Sequence, residues 1–168
     1  MSDPNTHTAI TTTGSAAVAE YLDGIDVAYE LLTHRPTMSA TAEANATQRP
    51  VEQVAKTVVL QYGAGYVLAI VPASQRLDLR KLRGLLGATK NLRFATEEEI
   101  ACDFPVLEVG AVPPLGPMLP MAEVIDRRLV EQARILCAGG DHEHSIVLDP
   151  RDLVRLTGAT VADVCVGE

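Results

Sequence analysis

Two apolar, β-branched runs separated by three residues constrain the fold of this chain more than any other feature. They cover residues 56–62 and 66–71, and Gly63-Ala-Gly65 lies between them. Dense Val, Ile and Leu is typical of buried strands, and a short loop containing glycine joins neighbouring antiparallel strands. We therefore predict a hairpin at the centre of a sheet, with Lys56 at the start of its first strand.

The rest of the chain alternates between helical and strand patterns. Start and stop signals such as Asp78 and Gly87 predict helices at residues 15–24, 39–47, 51–55, 79–86, 96 onward, 126–132 and 149–158. Further strands are predicted at residues 25–34, 118–125, 134–138 and 145–148. Because hairpins are mixed with helical crossovers, we expect an α/β or α+β domain with a mixed sheet.

Length and composition indicate one domain. The chain has 168 residues, of which 47% are hydrophobic, enough for one core. Residues 1–14 are polar, without the basic and apolar regions of a signal peptide, and are predicted to form a flexible tail before a domain at 15–168. No apolar run has the roughly 18 residues that a spanning helix needs. We expect a cytoplasmic protein that does not enter the membrane.

Charge is distributed unevenly. The net charge of −8 argues against non-specific coating of nucleic acid, which needs a broad basic surface. One basic island stands out: Arg76, Arg80, Lys81, Arg83, Lys90 and Arg93, with Asp78 as its single acidic residue. Arg80, Lys81 and Arg83 are expected on the outer face of a helix. That face is either simply solvated or contacts phosphates.

The segment Gly110-Ala-Val-Pro-Pro-Leu-Gly116 predicts a loop of fixed shape. Its two prolines fix φ and lack backbone donors, and the glycines at its ends permit conformations closed to other residues. Such a loop serves a ligand or a close packing contact. Lys56 adds to this, because a cation at the start of a buried strand needs an anionic or strongly polar partner.

Histidines and acidic residues cluster in Gly139-Gly-Asp-His-Glu-His-Ser145. In an extended segment His142 and His144 would lie on one face, and His34 could complete a metal site. Nothing in the sequence requires this, so we favour a glycine-rich turn with one histidine lining a pocket. The three cysteines lack metal or redox spacing and are interpreted as buried structural thiols.

Several of these segments together resemble the YbaK family, which is related to the editing insertion of bacterial prolyl-tRNA synthetase. The resemblance covers roughly residues 15–166. The segments that carry it are Lys56-Thr-Val-Val-Leu60, 71–79, Gly110 to Gly116, Gly139-Gly140, 148–153 and 162–164. It implies a single domain with a mixed, mostly antiparallel curved sheet flanked by short helices.

The resemblance also implies a trans-editing deacylase. Such an enzyme would hydrolyse the ester of a mischarged tRNA, here tRNA-Pro carrying a small wrong amino acid, without metal or cofactor. Lys56 matches the family's functional lysine, which would hold a phosphate or polarise the ester. Gly110 and Gly140 are the implied catalytic backbone donors. The implied substrate-binding residues are Ala111, Pro113, Pro114, Leu115, Gly116, Gly139 and His142, with the choice between His142 and His144 left open.

Other functions remain as alternatives. A non-catalytic module of the same fold could bind aminoacyl-tRNA or a nucleotide, although retention of Lys56 and both glycine segments favours the enzyme. A DNA-binding role is disfavoured by the acidity of the chain. If the helix at 79–86 contacts the tRNA acceptor stem, Arg80, Lys81 and Arg83 would make that contact. The amino acid removed, the tRNA, the oligomeric state and any transient association with a synthetase are left open.

Overall fold

The computed structural model of the chain describes residues 12–87 and 91–167. The helices within these ranges are α1 (Gly14–Asp23), α2 (Ala40–Thr47), α3 (Leu79–Leu86), α4 (Glu97–Asp103), α5 (Arg127–Val130) and α6 (Pro150–Thr157). The strands are β1 (Tyr29–Thr33), β2 (Ala55–Tyr62), β3 (Gly65–Pro72), β4 (Leu92–Phe94), β5 (Ala122–Asp126), β6 (Ile135–Ala138), β7 (His144–Leu148) and β8 (Thr160–Ala162). Short 3-10 helices cover Val51–Gln53 and Gly116–Met118.

The predicted hairpin is confirmed and lies inside a five-stranded sheet. β2 and β3 pair antiparallel, with Lys56 opposite Val71 and Tyr62 opposite Gly65. The strand order is β4-β2-β3-β5-β8. β5 runs parallel to both β3 and β8, while β4 runs antiparallel to β2. The sheet is therefore mixed, as the alternation of hairpins and crossovers predicted, and β3 at its centre is almost entirely buried.

The remaining three strands form a second sheet, where the sequence had suggested one. Their order is β1-β7-β6, all antiparallel. A single parallel bridge between Val54 and Leu136 connects the two sheets just before β2 begins. Sequence patterns reveal which segments are strands but not which strands pair, so this division could not be predicted. The three-residue strands β4 and β8 were also missed, being too short to show a period.

The helix boundaries follow the predicted capping signals closely. The Ser39 side chain accepts a hydrogen bond from the Ala42 N–H at the start of α2. Thr96 and Glu99 form a capping box at the start of α4. Asp78 caps α3, which ends at Gly87 in the left-handed conformation (φ 62°).

Two predicted strands are shorter in the structure. β1 begins at Tyr29, because Asp26 adopts a positive φ of 54° that breaks the extended backbone. The strand predicted at 118–125 begins only at Ala122. Pro117 and Pro120 lie just before it and lack the N–H that a sheet ladder requires.

The main hydrophobic core lies on one face of the five-stranded sheet, and a second cluster that includes Leu60, Val71 and Leu82 packs on the other. Cys137 and Cys165 are buried, whereas Cys102 is exposed, which corrects the prediction that all three are buried. The predicted tail at 1–14 lies mostly outside the described residues. Gly14 begins α1, and its N–H donates to the Val106 carbonyl. None of the described helices is both long and apolar enough to span a membrane.

Candidate active site

A small cavity lies where the start of β2 meets the second sheet. Its walls come from Glu43 on α2, residues 55–57 at the start of β2, residues 110–112, and the turn containing Asp141 and His142. Its volume is about 50 Å³. Since one water molecule needs roughly 10–15 Å³ of such space, the cavity suits a group with only a few heavy atoms.

Lys56 contributes a nearly unpaired cation to this cavity. Its ammonium group donates one hydrogen bond, to the Gln75 carbonyl oxygen at 3.3 Å. No carboxylate of the described residues lies within ion-pair distance of it. An ammonium group has three donors, so Lys56 retains hydrogen-bonding capacity for a ligand.

Three further polar groups at the cavity lack partners. The Thr57 hydroxyl oxygen is buried and makes no hydrogen bond within the described part of the chain. The backbone N–H groups of Gly110 and Val112 likewise find no acceptor among those residues. Gly110 is exposed, so water can pair its N–H, whereas the Thr57 hydroxyl oxygen and Val112 are buried. Buried polar groups are normally paired, because an unpaired one costs roughly 1–3 kcal/mol. Unpaired donors gathered at one cavity are a site prepared for a ligand.

Gly110 shapes the cavity wall through its backbone. Its φ of +87° lies in the region that favours glycine, and an added Cβ would stand 3.3 Å from Cε1 of His142. The Ala111 N–H donates to the Glu108 carbonyl, which fixes the turn. Gly110, Ala111 and Val112 therefore form a fixed edge of the cavity beside His142.

His142, and not His144, lines the cavity. Its Nδ1 lies 2.8 Å from the Thr37 carbonyl oxygen, and its Nε2 lies 3.6 Å from a carboxylate oxygen of Glu108. His144 instead pairs with Asp141 at 2.7 Å. The segment is a turn and not the extended chain considered for a metal site, so the two rings do not share a face. No three acidic, histidine or cysteine residues of the described ranges are grouped as a metal site would require.

The second half of the predicted loop lies away from the cavity. Pro113, Pro114, Leu115 and Gly116 are all buried, and Leu115 belongs to the main core. The Gly116 N–H donates to the Glu123 carboxyl group at 3.0 Å, and a Cβ on Gly116 would lie 2.5 Å from the Met121 carbonyl oxygen. These four residues are therefore not cavity residues as predicted, but support its wall from behind.

Burial of Glu123 adds to that support. The lack of solvent raises its pKa to about 8, and the Gly116 N–H only partly opposes this. The nearby Thr157 hydroxyl donates its proton to the Leu153 carbonyl, so the second Glu123 oxygen stays without a hydrogen bond among the described residues. A neutral carboxyl group thus fastens the end of the proline loop.

The predicted backbone donors at Gly139 and Gly140 are already used. The Gly139 N–H donates to the His144 carbonyl, and the Gly140 N–H donates to the Ala111 carbonyl. Gly140 has φ +98°, and a Cβ there would lie 2.7 Å from the Gly14 carbonyl oxygen. Gly140 cannot supply the expected oxyanion donor, because its N–H is occupied. Both glycines instead allow close backbone packing.

The residues of the basic island differ in their exposure and their partners in the structure. Lys81 is half-buried and pairs with Asp163 at 3.2 Å, so its ammonium is not the free outward-facing cation that was predicted. Arg80 and Arg83 are both exposed, and one Arg83 nitrogen donates to the Leu92 carbonyl. Arg76, Arg80 and Arg83 line an open surface groove of about 560 Å³ together with Phe94. Lys90 lies outside the described residues.

The groove and the cavity have contact residues that are adjacent in the sequence. Gln75, whose carbonyl holds the Lys56 ammonium, directly precedes Arg76 in the groove wall. Phe94 exposes 52% of its surface there.

Sequence reasoning missed several cavity residues, of which Thr57 and Glu43 matter most for the site. Thr57 was visible as a hydroxyl residue directly before the apolar run Val58-Val-Leu60. Glu43 carried less signal, because it lies in an alanine-rich helix without an apolar stripe. Its carboxylate is buried and accepts a hydrogen bond from Ser145 at 2.5 Å, and burial raises its pKa. Only the tertiary fold brings α2 against β7.

Comparison with known proteins identifies the family. The model of the aminoacyl-tRNA editing domain matches residues 34–156, which is most of the chain. A curated relative, the prolyl-tRNA editing protein ProX of Acetoanaerobium sticklandii, is 27% identical over 149 residues, covering 85% of this chain and 90% of that protein. A proline–tRNA ligase of Fervidobacterium nodosum is 33% identical over 91 residues, which cover 54% of this chain and 15% of the ligase.

Solved structures agree with this. One that is provisionally described as a trans-editing enzyme for prolyl tRNA synthetase has a TM-score of 0.82 and 30% identity, covering 91% of this chain and 97% of the other. The hypothetical protein APE2540 has a TM-score of 0.80 and 28% identity, covering 89% and 99%. The α/β fold and the resemblance drawn from the sequence are both confirmed. The chain belongs to the aminoacyl-tRNA editing domain family.

Proposed function

We propose that this protein is a trans-editing deacylase that hydrolyses the ester of tRNA-Pro carrying a small wrong amino acid. The single observation that supports it most is the cavity, where the Lys56 ammonium and the Gly110 and Val112 N–H groups have unused donors. Donors fixed in advance are what ester hydrolysis needs, because charge develops on the carbonyl oxygen in the transition state. The similarity to ProX suggests the tRNA.

The reaction requires little beyond positioning. Water adds to the ester carbonyl, the C–O bond to the ribose breaks, and the free amino acid and the tRNA hydroxyl leave. An aminoacyl ester is already activated, so donors to the oxyanion and a held substrate suffice. The Gly110 and Val112 N–H groups are suited to the oxyanion. Lys56 would hold the phosphate of the terminal adenosine or polarise the ester, and this role needs no metal or cofactor.

The cavity volume supports a small amino acid. A space of about 50 Å³ admits only a few heavy atoms, which is in keeping with a small side chain. Binding alone separates side chains that differ by one methylene by only about 1–3 kcal/mol, so a second hydrolytic site is a sensible means of discrimination. Ala, Ser and Cys esters are the first candidates, followed by Thr.

The groove beside Gln75 is the proposed contact for the tRNA. Arg76, Arg80 and Arg83 would approach phosphates, and Phe94 offers a surface on which a base can stack. This assignment keeps Arg80 and Arg83 from the predicted set and replaces Lys81 with Arg76. A transient association with a synthetase stays a prediction.

The test is deacylation across a panel of mischarged tRNAs. tRNA-Pro charged with Ala, Ser, Cys, Thr or Pro is incubated with the protein, and the rate of ester loss is compared with the rate in buffer. We expect rapid loss of at least one small amino acid and sparing of Pro. Binding without accelerated hydrolysis of any ester would instead support the non-catalytic aminoacyl-tRNA binding module.

A further inference from the structure

One buried carboxylate of the cavity has no part in the chemistry described so far. Glu43 is 6% exposed and lines the cavity from α2. Its Oε2 accepts the Ser145 hydroxyl at 2.5 Å. Its Oε1 accepts no hydrogen bond from the described residues, and it is not among their fully buried oxygens without a partner. This oxygen is therefore accessible and available.

Both oxygens of the other carboxylate at the cavity already accept hydrogen bonds from the protein. Asp141 accepts hydrogen bonds from the N–H groups of Ser15 and Glu143 and from His144 Nδ1, at 2.9, 3.0 and 2.7 Å. These bonds hold the turn in place and leave Asp141 little capacity for a ligand. Of the two carboxylates, Glu43 is the one with an oxygen that accepts no hydrogen bond from the described residues.

Glu43 also lacks a cation. No lysine or arginine of the described residues forms an ion pair with it, and Lys56, in the same cavity wall, lies beyond 4 Å. Burial raises the pKa of Glu43, although the Ser145 hydroxyl and the neighbouring His34 and His142 oppose this. A buried carboxylate without a cation is unfavourable, so binding of a cationic ligand beside it would lower the free energy.

The proposed substrate carries a cation of the required kind. An aminoacyl ester has an α-ammonium group on the carbon next to the scissile carbonyl. We propose that Glu43 binds this free α-ammonium group and thereby restricts the enzyme to esters whose amino group is free and charged. The inference rests on the proposed deacylase function and adds the group that selects its substrate class.

A hydrogen-bonded chain behind Glu43 fits this role. His34 Nδ1 lies 2.7 Å from the Arg35 carbonyl, which can only accept, so Nδ1 carries a proton. His34 Nε2 lies 2.8 Å from the Ser145 oxygen. Ser145 has a single hydrogen, so it donates either to Glu43 or to His34. In the first case His34 is an imidazolium and Glu43 is ionised, and in the second both are neutral.

The two arrangements differ in the position of one proton, and each satisfies every hydrogen bond in the chain. An ammonium group at Oε1 favours the ionised form of Glu43. The proton can then move through Ser145 to His34 without release to solvent. His34 and Ser145 are positioning residues in this scheme, because they act on the substrate only through Glu43.

The experiment removes the charge from the substrate and from the protein separately. Alanyl-tRNA-Pro is compared with lactyl-tRNA-Pro, in which a hydroxyl replaces the α-ammonium with almost no change in size. Each rate is normalised to uncatalysed hydrolysis, because the two esters differ in intrinsic reactivity. Both esters are tested with wild type, Glu43→Gln and the control Glu30→Gln, which removes an exposed carboxylate from β1.

We expect wild type to prefer the alanyl ester by about 10- to 100-fold in kcat/KM, as for one hydrogen bond to a charged group. Glu43→Gln should lose this preference by slowing the alanyl reaction, while Glu30→Gln keeps it. Equal normalised rates in wild type, or an undiminished preference in Glu43→Gln, would overturn the inference.

A second variant covers the case in which Glu43→Gln does not fold. Ser145→Ala removes the hydroxyl that orients the carboxylate, and it should reduce the same preference. An unchanged preference in Ser145→Ala would also overturn the inference. Failure of wild type to hydrolyse either ester is a different result, which rejects the deacylase function itself.

Discussion

The charged cluster around Asp126 and the cavity differ in how far their polar groups are hydrogen-bonded within the chain. In the cluster, Arg128 bonds to both Asp126 and Asp163 at 3.1 Å, and Lys81 completes the set by binding Asp163. The Val164 N–H donates to Asp126 at 2.9 Å. Bonds from Arg128 first and then Lys81 lower the pKa of Asp163 to about 2. Every charge in this cluster has a partner within the chain.

At the cavity the groups remain open. The Lys56 ammonium has one carbonyl partner. The Thr57 hydroxyl, the N–H groups of Gly110 and Val112 and one Glu43 oxygen have no hydrogen-bond partner among the described residues. Folding gains nothing from leaving such groups unpaired. The comparison teaches that charge alone does not indicate function, whereas unsatisfied polar groups at one concave site do. Changes at the cavity should affect activity, and changes in the cluster should affect stability.

The largest expected effect is that of Lys56→Ala. Removal of the ammonium should lower kcat/KM for the best ester by about 10³-fold, since such losses follow the removal of one transition-state donor. The thermal midpoint should hardly change, because Lys56 gives the fold only one hydrogen bond to a carbonyl. Deacylation assays measure kcat/KM, and thermal melts measure the midpoint. Near-normal turnover would remove Lys56 from the mechanism, and a large fall in midpoint would place it with the structural charges.

Gly110→Val should have the next largest effect. A β-branched residue at φ +87° would displace the turn that aims the Gly110 and Val112 N–H groups and would press on His142. We expect kcat to fall by about 10²-fold. Gly158→Val is the matched control, since Gly158 also has a positive φ (+65°) but lies in open space at the end of α6. Equal losses of activity in both would mean that strain, and not the cavity edge, is responsible.

The structure changes the expectation for Gly116. A Cβ there meets the Met121 carbonyl at 2.5 Å, so Gly116→Val should impair folding and not catalysis directly. The sequence showed that residues 110–116 form a shaped loop. It could not show that the loop divides into an edge of the cavity and a buried support, because both halves contain glycine and apolar residues.

The sequence predicted the hairpin, the caps and the place of Lys56 near the start of a strand well, because these depend on local chemistry. Thr96 and Glu99 lie three residues apart, and the turn at Gly63 to Gly65 joins adjacent strands. Glu43 and Ser145 are 102 residues apart and meet only when α2 packs against β7. Likewise, nothing local distinguishes Lys81 from Arg80, although the first binds Asp163 and the second is exposed.

Asp126→Asn tests the other side of the comparison. Asp126 is fully buried and accepts the Val164 N–H, the Arg128 N–H and the Arg128 guanidinium. Hydrogen bonds to a buried charge contribute about 2 kcal/mol, so the free energy of unfolding should fall by about that amount, and the midpoint by about 4–8 °C. kcat/KM should be unchanged at temperatures where the variant is folded.

The control for that variant is Asp152→Asn, which breaks the exposed pair with Arg155. Exposed pairs contribute about 0–1 kcal/mol, so its unfolding curve should nearly overlay that of wild type. Chemical denaturation followed by circular dichroism gives both values. If Asp126→Asn lost activity while keeping its stability, the cluster would belong to the site, and the distinction between the two regions would fail.

The smallest effect should come from the groove. Arg76 and Arg80 are exposed, and no hydrogen bond or ion pair holds either side chain within the described part of the chain. Reversing both to Glu should raise KM for tRNA several-fold and flatten the salt dependence of binding, since fewer counterions are released. Stability should not change.

Two controls separate a specific contact from the added negative charge. Arg127→Glu with Arg134→Glu makes the same change in net charge at exposed positions outside the groove, and it should leave KM nearly unaltered. Lys81→Ala should lower stability and not tRNA affinity, because the Lys81 ammonium is bound to Asp163 and the Cys165 carbonyl. Equal effects of the two double reversals on KM would assign the change to overall repulsion. A loss of tRNA affinity in a folded Lys81→Ala protein would return Lys81 to the RNA contact surface.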